Sequence, residues 1–346
     1  MGPGGPRDRY HSLRVQRIVE ETADARSIVF DVPSDLVDRF AYEPGQFVTL
    51  RVVTDDGPEL RSYSMSSAPS LDADLQVTVK RVPGGRVSNW LNDALSVGDV
   101  LEVSEPTGVF VLTDSDVDLV AFAGGSGITP VYSIVKAALH TTERRLRLLF
   151  ANQERSQAIF GAALDDLAAR FPGRLVVEHH EDVTDGFVGA HEVGAFVGGQ
   201  LEAEIFICGP TGFMDVVETA LHAAHVDPAR IHVERFTPAS VNAAPVKQAR
   251  SDDILGQTSV TITVGTRTET IEQRGNSTIL QSARWAGLPA PSSCEAGHCA
   301  TCMARVLEGA VEMANNEVLT QEEVSEGWVL TCQAVPVTRI VRVVYE

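Results

Sequence analysis

Four of the five cysteines in the sequence lie near its C-terminal end, at Cys294, Cys299, Cys302 and Cys332. Three of them form C-x4-C-x2-C, and the fourth follows 30 residues later, which is the plant-type [2Fe-2S] spacing. A tight loop supplies three thiolates, and a distant fourth thiolate completes the ligand set. Zinc sites favour paired C-x2-4-C motifs, so zinc is the weaker interpretation. The sequence therefore predicts an iron-sulfur cluster, with His298 as a solvated loop residue.

A second group of residues has the composition of a nucleotide site. Gly124-Gly125-Ser126-Gly127-Ile128-Thr129-Pro130 follows a buried apolar run and precedes a predicted helix. Thr129 is the expected N-cap of this helix and Pro130 its first residue. The G-x-G-x-x-G fingerprint is absent, so the turn alone is weak evidence. Cys208-Gly209-Pro210 ends a later predicted strand, and ligands in open α/β sheets bind beyond such strand ends.

A third group lies earlier in the chain. In Arg61-Ser62-Tyr63-Ser64, strand alternation places Arg61 and Tyr63 on one face and Ser62 and Ser64 on the other. Gly85-Arg86-Val87-Ser88 opens a predicted helix, whose first N-H groups can bind a diphosphate. The alternative for this segment is a simple capped turn with Ser88 as N-cap.

These motifs, in this order, resemble the ferredoxin-NADP reductase family over about residues 10 to 236. The resemblance implies that Arg61 pairs with a flavin phosphate, that Tyr63 packs on the isoalloxazine ring and that Ser64 bonds near its reactive nitrogen. It assigns the FAD diphosphate to Gly85, Arg86, Val87 and Ser88. It also places Thr129 and Phe236 near the flavin, and Ser62 and Lys80 are further expected cofactor-binding residues.

The same resemblance implies the nicotinamide dinucleotide site. The turn containing Gly124, Gly125 and Gly127 receives the dinucleotide, and Cys208 flanks the nicotinamide together with Gly209 and Pro210. Asn152 and Arg155 are expected near the adenosine ribose, although Arg155 could be a surface charge. The residues expected to serve catalysis are Ser64, Cys208 and Glu234.

The patterns between these motifs predict a multidomain chain. Residues 1–113 alternate short β-branched runs with turn residues, which predicts an antiparallel β-barrel; the resemblance implies that this domain binds FAD. Residues 114–237 alternate strands with helices, which predicts a parallel α/β domain; the resemblance implies that this domain binds NAD(P). Residues 238–253 are small, polar and Pro-bearing, as in a linker. Residues 254–346 are expected to form a β-grasp ferredoxin domain.

Composition limits the class of protein. The net charge of -19 argues against nucleic-acid binding, which needs a basic face. No run of about 18 apolar residues predicts a membrane span, and no secretory signal is visible, so we expect a cytoplasmic protein. We also expect a monomer.

Nicotinamide delivers two electrons as hydride and a [2Fe-2S] cluster accepts one, so a flavin is needed between them. The domain order resembles the reductase components of multicomponent bacterial oxygenases, of the 3-ketosteroid 9α-hydroxylase and phenylacetyl-CoA epoxidase types. The resemblance implies electron transfer from NADH or NADPH through FAD and the cluster to a separate Rieske or di-iron oxygenase. Phthalate-dioxygenase-type reductases use FMN, but the segment at Gly85 favours FAD. The alternatives are a reductase for a cytochrome P450 or desaturase, and a redox sensor without turnover.

Overall fold

The computed structural model describes residues 10–54, 57–236, 258–292, 297, 300–316 and 318–345. The chain forms two compact units, one of residues 11–59 and 63–236 and a second that contains the C-terminal residues, and each is described separately. The predicted linker, residues 238–253, lies outside the described residues. Within the described part of the chain, no helix is long and apolar enough to cross a membrane.

The first sheet of the larger unit has six strands in the order β4-β3-β6-β1-β2-β5. β1 pairs antiparallel with β2, as do β2 with β5 and β3 with β6. Val48, Leu50 and Val52 of β3 point into the core of this unit, and Phe47 and Thr49 beside them are buried as well. The predicted antiparallel fold of this part is confirmed. Its strands and single helix are β1 Tyr10–Thr22, β2 Ala25–Asp31, β3 Phe47–Thr54, β4 Gly57–Ser64, β5 Leu75–Lys80, α1 Arg86–Asp93 and β6 Val100–Ser104.

The second sheet has five parallel strands in the order β11-β10-β7-β8-β9. Its elements are β7 Leu119–Gly124, α2 Ile128–Thr141, β8 Leu146–Asn152, α3 Gly161–Arg170, β9 Leu175–Glu181, α4 Asp182–Asp185, α5 Ala190–Val197, β10 Glu204–Gly209, α6 Thr211–Ala223 and β11 Ile231–Arg235. Every residue of β7 is buried, which explains its continuous apolar sequence. The chain runs from β7 to β8 on one side and later returns to β10 on the other. The sheet therefore has a topological switch point between β7 and β10, where α/β sheets bind ligands.

The C-terminal unit contains a mixed sheet in the order β13-β12-β18-β14-β16 and a separate pair, β15 with β17. Its elements are β12 Ser259–Val264, β13 Arg267–Glu272, α7 Ile279–Trp285, β14 Met303–Glu308, β15 Val311–Met313, α8 Gln321–Ser325, β16 Trp328–Leu330, β17 Ala334–Pro336 and β18 Ile340–Tyr345. The predicted hairpin is β12 with β13, in antiparallel register. Ile279 and Ala283 of α7 pack into the sheet core. A mixed sheet covered by one helix agrees with the expected β-grasp fold.

The start of α2 differs from the prediction. A 3-10 turn at Gly125–Gly127 leads directly into the helix, which begins at Ile128 with Gly127 as its N-cap. The predicted N-cap Thr129 and first residue Pro130 are wrong, since both lie inside the helix. The Thr129 hydroxyl donates to the Ser126 carbonyl at 3.1 Å and so bonds back into the turn.

A buried ion pair lies in the larger unit, at the end of the parallel sheet opposite the strand carboxyl ends. Arg144 Nη2 lies 2.8 Å from Glu204 Oε2, and the Arg144 side chain is 1% exposed. Arg144 Nη1 also donates to the Thr113 carbonyl at 3.1 Å. Burial alone would raise the pKa of Glu204, but hydrogen bonds from Thr113 and Arg144 outweigh burial and hold that pKa below its usual range.

Arg144→Ala should destabilise the protein by about 2 kcal/mol at neutral pH, because the partly buried Glu204 carboxylate loses its charged partner and keeps only the Thr113 hydroxyl as a donor. The lowered pKa of Glu204 means that the pair stabilises the fold above the ordinary carboxyl pKa and loses this effect as pH falls through the lowered value. The destabilisation should therefore shrink in acid. Denaturant unfolding across pH measures it, with the exposed neighbour variant Arg145→Ala as control, which should shift stability by less than about 0.5 kcal/mol. An equal loss of stability in Arg144→Ala and Arg145→Ala would contradict the stabilising role of the Arg144–Glu204 ion pair.

Candidate functional site

A cleft of about 1080 Å³ lies in the larger unit at the carboxyl ends of the parallel strands. Gly124, Asn152 and Gly209, the last residues of β7, β8 and β10, line it, together with residues of the first sheet such as Lys80 at the end of β5. The cleft thus coincides with the switch point between β7 and β10. Its volume is sufficient for a nucleotide ligand.

Glycines allow the turns after β7 and β10 to approach each other. A Cβ on Gly127 would lie 2.2 Å from the Cys208 carbonyl oxygen, and one on Gly209 would lie 2.9 Å from the Gly124 amide nitrogen. A Cβ on Gly124 would lie 2.8 Å from Pro210 Cδ. These distances are too short for any side chain, so the two turns form a backbone-lined cradle. Such a cradle suits a dinucleotide, whose phosphates need close access to the backbone.

Ser64, Cys208 and Glu234, the three residues expected to serve catalysis, come together through strand pairing and a side-chain hydrogen bond. Cys208 on β10 lies opposite Glu234 on β11 in parallel register. Ser64, the last residue of β4, donates from Oγ to Glu234 Oε2 at 3.2 Å across 170 positions of sequence. All three side chains are buried. Burial, reinforced by the nearby Glu234 carboxylate, raises the pKa of the Cys208 thiol well above its usual value, so this thiol remains protonated at neutral pH.

The expected flavin-binding residues surround strand β4 and helix α1. Arg61 and Ser62 are half-buried, and Arg61 Nη1 donates to the Leu60 carbonyl at 2.8 Å. Tyr63 packs against the core of the first sheet. Arg86 forms an ion pair with Glu59 of β4, with Nε 2.8 Å from Oε1.

Helix α1 begins without a side-chain cap. Gly85 is its N-cap, and its first turn contains no acidic residue. Ser88 is not the cap, because its hydroxyl accepts from the Val82 amide at 3.1 Å, while Val87 is buried. The first N-H groups of an eight-residue helix are therefore not capped by a side chain, which fits the binding of a diphosphate there.

Of the other residues expected at the cleft, three line it and one does not. Lys80 lines it, with Nζ 3.5 Å from Asp24 Oδ2, and Phe236 lines it with 37% of its surface exposed. Asn152 lines it and is buried, and among the described residues its Oδ1 has no hydrogen-bond partner. Arg155 instead forms an ion pair with Asp165 of α3 and is not among the lining residues.

Two of the four predicted cluster ligands, Cys302 and Cys332, are described, and both are buried. Antiparallel pairing of Met303 with Leu330 brings the two cysteine-bearing segments together. Thr331 joins them directly: its amide and its hydroxyl both donate to the Cys302 carbonyl, at 3.1 and 2.8 Å. The Tyr345 hydroxyl in turn donates to Thr331 Oγ1 at 2.7 Å. This network holds two thiols of suitable chemistry in neighbouring positions, which fits a cluster site.

The loop between the ligands also needs special backbone geometry. Gly297 has a φ of 91°, and a Cβ there would lie 2.8 Å from the Asn315 carbonyl oxygen. Ala300 has a φ of 52°. Cys294, Cys299 and His298 lie outside the described residues. Glycine at 297 is therefore required by the tight turn.

Several residues that line the cleft belong to none of the sequence motifs, including Asp24, Asp182, Phe187 and Phe213. Asp182 and Phe187 follow β9, whose carboxyl end lies beside that of β8. The rule that the carboxyl ends of parallel strands share one edge of a sheet could have identified them. Asp24 precedes β2, and no sequence signal pointed to it.

Each of the three parts of the chain matches a known protein family. Residues 12–112 match the oxidoreductase FAD-binding domain, residues 122–219 the oxidoreductase NAD-binding domain, and residues 262–337 the 2Fe-2S iron-sulfur cluster binding domain. The 3-ketosteroid-9-alpha-monooxygenase ferredoxin reductase component of Rhodococcus rhodochrous is 40% identical, over 94% of each chain. A component of the 1,2-phenylacetyl-CoA epoxidase of Escherichia coli is 33% identical, over 95% of this chain and 96% of that protein.

Solved structures support the same architecture. Phthalate dioxygenase reductase has a TM-score of 0.61 and covers 99% of this chain and 100% of its own, at 23% identity, which supports the fold alone. The FAD/NAD-binding domain of a nitric oxide dioxygenase from Vibrio cholerae has a TM-score of 0.58 and 28% identity, covering 66% of this chain and 98% of that one.

The fold and the matched domains define an NAD(P)H-dependent flavin and iron-sulfur oxidoreductase that uses FAD and a [2Fe-2S] cluster. Within this class, the chain belongs to the family of ferredoxin reductase components of oxygenases, which includes the Rhodococcus and Escherichia relatives.

Gly127→Ala should reduce hydride transfer to the flavin at least about tenfold, since a Cβ there overlaps the Cys208 carbonyl and must displace one of the two turns. Rapid-mixing measurement of flavin bleaching gives the rate. The matched control is Gly194→Ala, inside α5, where a Cβ meets nothing within 4 Å. Unchanged bleaching in Gly127→Ala would show that the close approach of the turns is dispensable.

Thr331→Val should speed the loss of the cluster to a chelator, because it removes the hydroxyl that bonds Cys302 and accepts from Tyr345. A buried hydrogen bond contributes about 1 kcal/mol, or roughly a fivefold change in rate. Visible absorbance reports the cluster. Thr338→Val is the control. The Thr338 hydroxyl also makes two hydrogen bonds, donating to the Ile340 carbonyl and accepting from the Ala310 amide, but it lies outside the core. Equal loss rates in both variants would refute the role of Thr331.

Proposed function

We propose that this chain is the electron-transfer reductase component of a multicomponent oxygenase. It oxidises NADH or NADPH and passes electrons through FAD and a [2Fe-2S] cluster to a separate oxygenase protein. The observation that carries this proposal is the meeting of Ser64 and Glu234 with Cys208, one residue before Gly209 of the cleft, in a chain that also contains the 2Fe-2S domain. The named functions of the relatives support an oxygenase as acceptor.

Each residue of this group has a distinct proposed role. Ser64 and Glu234 share a hydrogen bond in a buried place, so the pair can hold and exchange a proton beside the hydride acceptor. Cys208 remains a neutral thiol and supplies bulk at the end of β10 without adding a negative charge. Bound FAD supplies an acceptor that takes a hydride as two electrons and releases electrons one at a time.

The other binding roles follow from position. The uncapped start of α1 at Gly85 is the proposed site of the FAD diphosphate, with Arg61 as a further phosphate partner. The glycine cradle at Gly124 and Gly127 receives the nicotinamide dinucleotide. Cys294, Cys299, Cys302 and Cys332 hold the cluster. We also propose that the FAD-binding domain ends at residue 113 and the nucleotide-binding domain at residue 237, and that residues 238–253 form a linker.

The acceptor is assigned by class only. Relatives at 32 to 41% identity serve a ketosteroid monooxygenase, a glycine betaine monooxygenase and a phenylacetyl-CoA epoxidase. A cytochrome P450 is the second candidate acceptor, because the P450 reductase GcoB of Amycolatopsis is 28% identical over 67% of this chain. We propose a monomer in the cytoplasm.

Cys299→Ser should abolish delivery to cytochrome c while ferricyanide reduction survives, because ferricyanide can take electrons before the cluster. Steady-state assays with each acceptor measure this, and Cys208→Ser, which leaves the four cluster cysteines intact, is the comparison. If the intact protein reduces neither acceptor with either nucleotide, the chain is not a turnover reductase. If Cys299→Ser retains cytochrome c reduction, electrons bypass the cluster.

A further inference from the structure

Helix α2 of the parallel sheet is bonded directly to the segment that follows β4 of the first sheet. The Ser133 hydroxyl donates to the Ser67 carbonyl at 2.6 Å, and both residues are buried. Three residues further along α2, Lys136 Nζ forms an ion pair with Asp72 Oδ2, and the Lys136 side chain is 12% exposed. These two contacts, Ser133–Ser67 and Lys136–Asp72, are called the α2 clamp below.

The segment that receives the clamp has its own fixed structure. Ser67 Oγ lies 2.6 Å from Tyr42 Oη and accepts from the Gln76 amide at 2.9 Å. Burial raises the pKa of Tyr42 to about 12, so its hydroxyl stays protonated at neutral pH. Asp72 Oδ2 also accepts from the Ala68 amide at 2.7 Å. The clamp therefore joins α2 to a part of the chain that is already held in place.

The lysine of the clamp is also fixed from the side of α2. Lys136 Nζ lies 4.6 Å from the centroid of the Tyr132 ring, one turn earlier on the helix. The Tyr132 ring in turn stacks on Phe160, with 4.4 Å between the ring centroids. Because the lysine is held before it pairs, little side-chain entropy is lost in forming the ion pair.

On the α2 side, the clamp lies within two turns of the nucleotide cradle. Thr129, Ser133 and Lys136 have i, i+4, i+7 spacing, so they share one face of the helix. The Thr129 hydroxyl donates to the carbonyl of Ser126, in the turn that leads into α2. A shift of α2 would therefore carry this turn, and Gly127 with it.

On the other side, the clamp lies next to the residues expected at the flavin. Ser67 is three residues after Ser64, whose hydroxyl donates to Glu234. Between them, the Ser66 amide donates to the Gln76 carbonyl of β5 at 2.8 Å. The clamp thus connects the strand expected to contact the flavin with the helix that follows the nucleotide turn, over a few residues on each side.

Apolar contacts also join the two sheets of the larger unit. Phe110 packs edge-on against Phe206 of β10, with 5.3 Å between the ring centroids, and Ala25 of β2 belongs to the core around α2. Hydrophobic contacts are non-directional and permit small shifts, whereas hydrogen bonds require a defined distance and angle. Hydride transfer needs its reacting atoms about 3 to 3.5 Å apart. The polar clamp is suited to fixing such a distance.

We propose that Ser133 and Lys136 are positioning residues for hydride transfer. Through the α2 clamp they hold the nucleotide turn before α2 at the reacting distance from the flavin. The proposal rests on the reductase function and deepens it. Neither residue is among the described residues that line the cleft. Loosening the clamp should therefore slow hydride transfer without weakening nucleotide binding, because the cradle itself stays intact.

Ser133→Ala tests this separation of rate from binding in the intact holoprotein. Anaerobic rapid mixing, over a range of concentrations of the nucleotide that reduces the unaltered protein, gives both the limiting rate of flavin reduction and the dissociation constant. The limiting rate should fall at least about fivefold, because the reacting atoms are misplaced, while the dissociation constant changes by less than about twofold.

The matched control is Thr141→Val, which removes a hydroxyl that bonds within α2 itself, to the Ala137 carbonyl at 2.9 Å. It should leave the limiting rate and the dissociation constant unchanged. An unchanged limiting rate in Ser133→Ala, an equal fall in both variants, or weaker binding at an unchanged limiting rate overturns the proposal.

Lys136→Met and Asp72→Asn test the other half of the clamp and do not depend on the folding of Ser133→Ala. Each removes one partner of the same ion pair, so each should lower the limiting rate at least about threefold. The double variant should be no more than about twofold slower than the slower single variant. A rate in the double variant that equals the product of the two single effects would refute a shared role.

Hydrogen exchange followed by mass spectrometry gives a readout that does not depend on turnover. Compared with Thr141→Val, Ser133→Ala should exchange at least about threefold faster at residues 65–72 and 125–129, the two ends of the clamp, with no change in β8 and β9. Equally faster exchange in β8 and β9 would indicate general destabilisation and would overturn the proposal. Failure of both NADH and NADPH to reduce the unaltered protein would refute the reductase function itself, whereas an unaltered rate in Ser133→Ala refutes only the clamp.

Discussion

The close approach of the backbone turns that follow β7 and β10 governs the arrangement of the nucleotide site. Gly127 lies against the Cys208 carbonyl and Gly209 against the Gly124 amide, at distances that no Cβ permits. Because these turns touch, the cleft opens at the switch point. Cys208 at the end of β10 then reaches Glu234 on β11 in register, and Glu234 reaches Ser64 on the first sheet. The glycines thus allow the two turns to touch, while strand register and one hydrogen bond bring Ser64, Cys208 and Glu234 together.

The elements that the sequence predicted well are those with strong periodicity or spacing. The fully apolar β7, the apolar and β-branched run of β3 and the β12–β13 hairpin could be recognised because burial dictates their patterns. The cluster motif could be recognised because cysteine thiolates hold a [2Fe-2S] cluster, so the cysteines must occur at a characteristic spacing. The start of α2 was predicted wrongly, since Thr129 and Pro130 resemble a helix beginning while the 3-10 turn before them extends the helix backwards.

Sequence patterns could not show which polar groups face one another. Arg155, which is expected near the ribose, pairs through Nη2 with Asp165, ten residues later on α3. Asp182 and Phe187 belong to no motif, yet the parallel order of β8 and β9 places them at the cleft. The Thr331 link between Cys302 and Tyr345 depends on sheet register, which no local pattern specifies. These features follow from tertiary pairing.

We expect this one chain to accept electron pairs from a nicotinamide and to deliver them singly through its cluster. An anaerobic titration of the intact protein with NADH, followed by visible absorbance and by electron paramagnetic resonance, tests it most directly. The flavin absorbance should bleach and the signal of a reduced [2Fe-2S] cluster should appear in the same titration, without any added protein. Bleaching of the flavin while the cluster stays oxidised would contradict the claim.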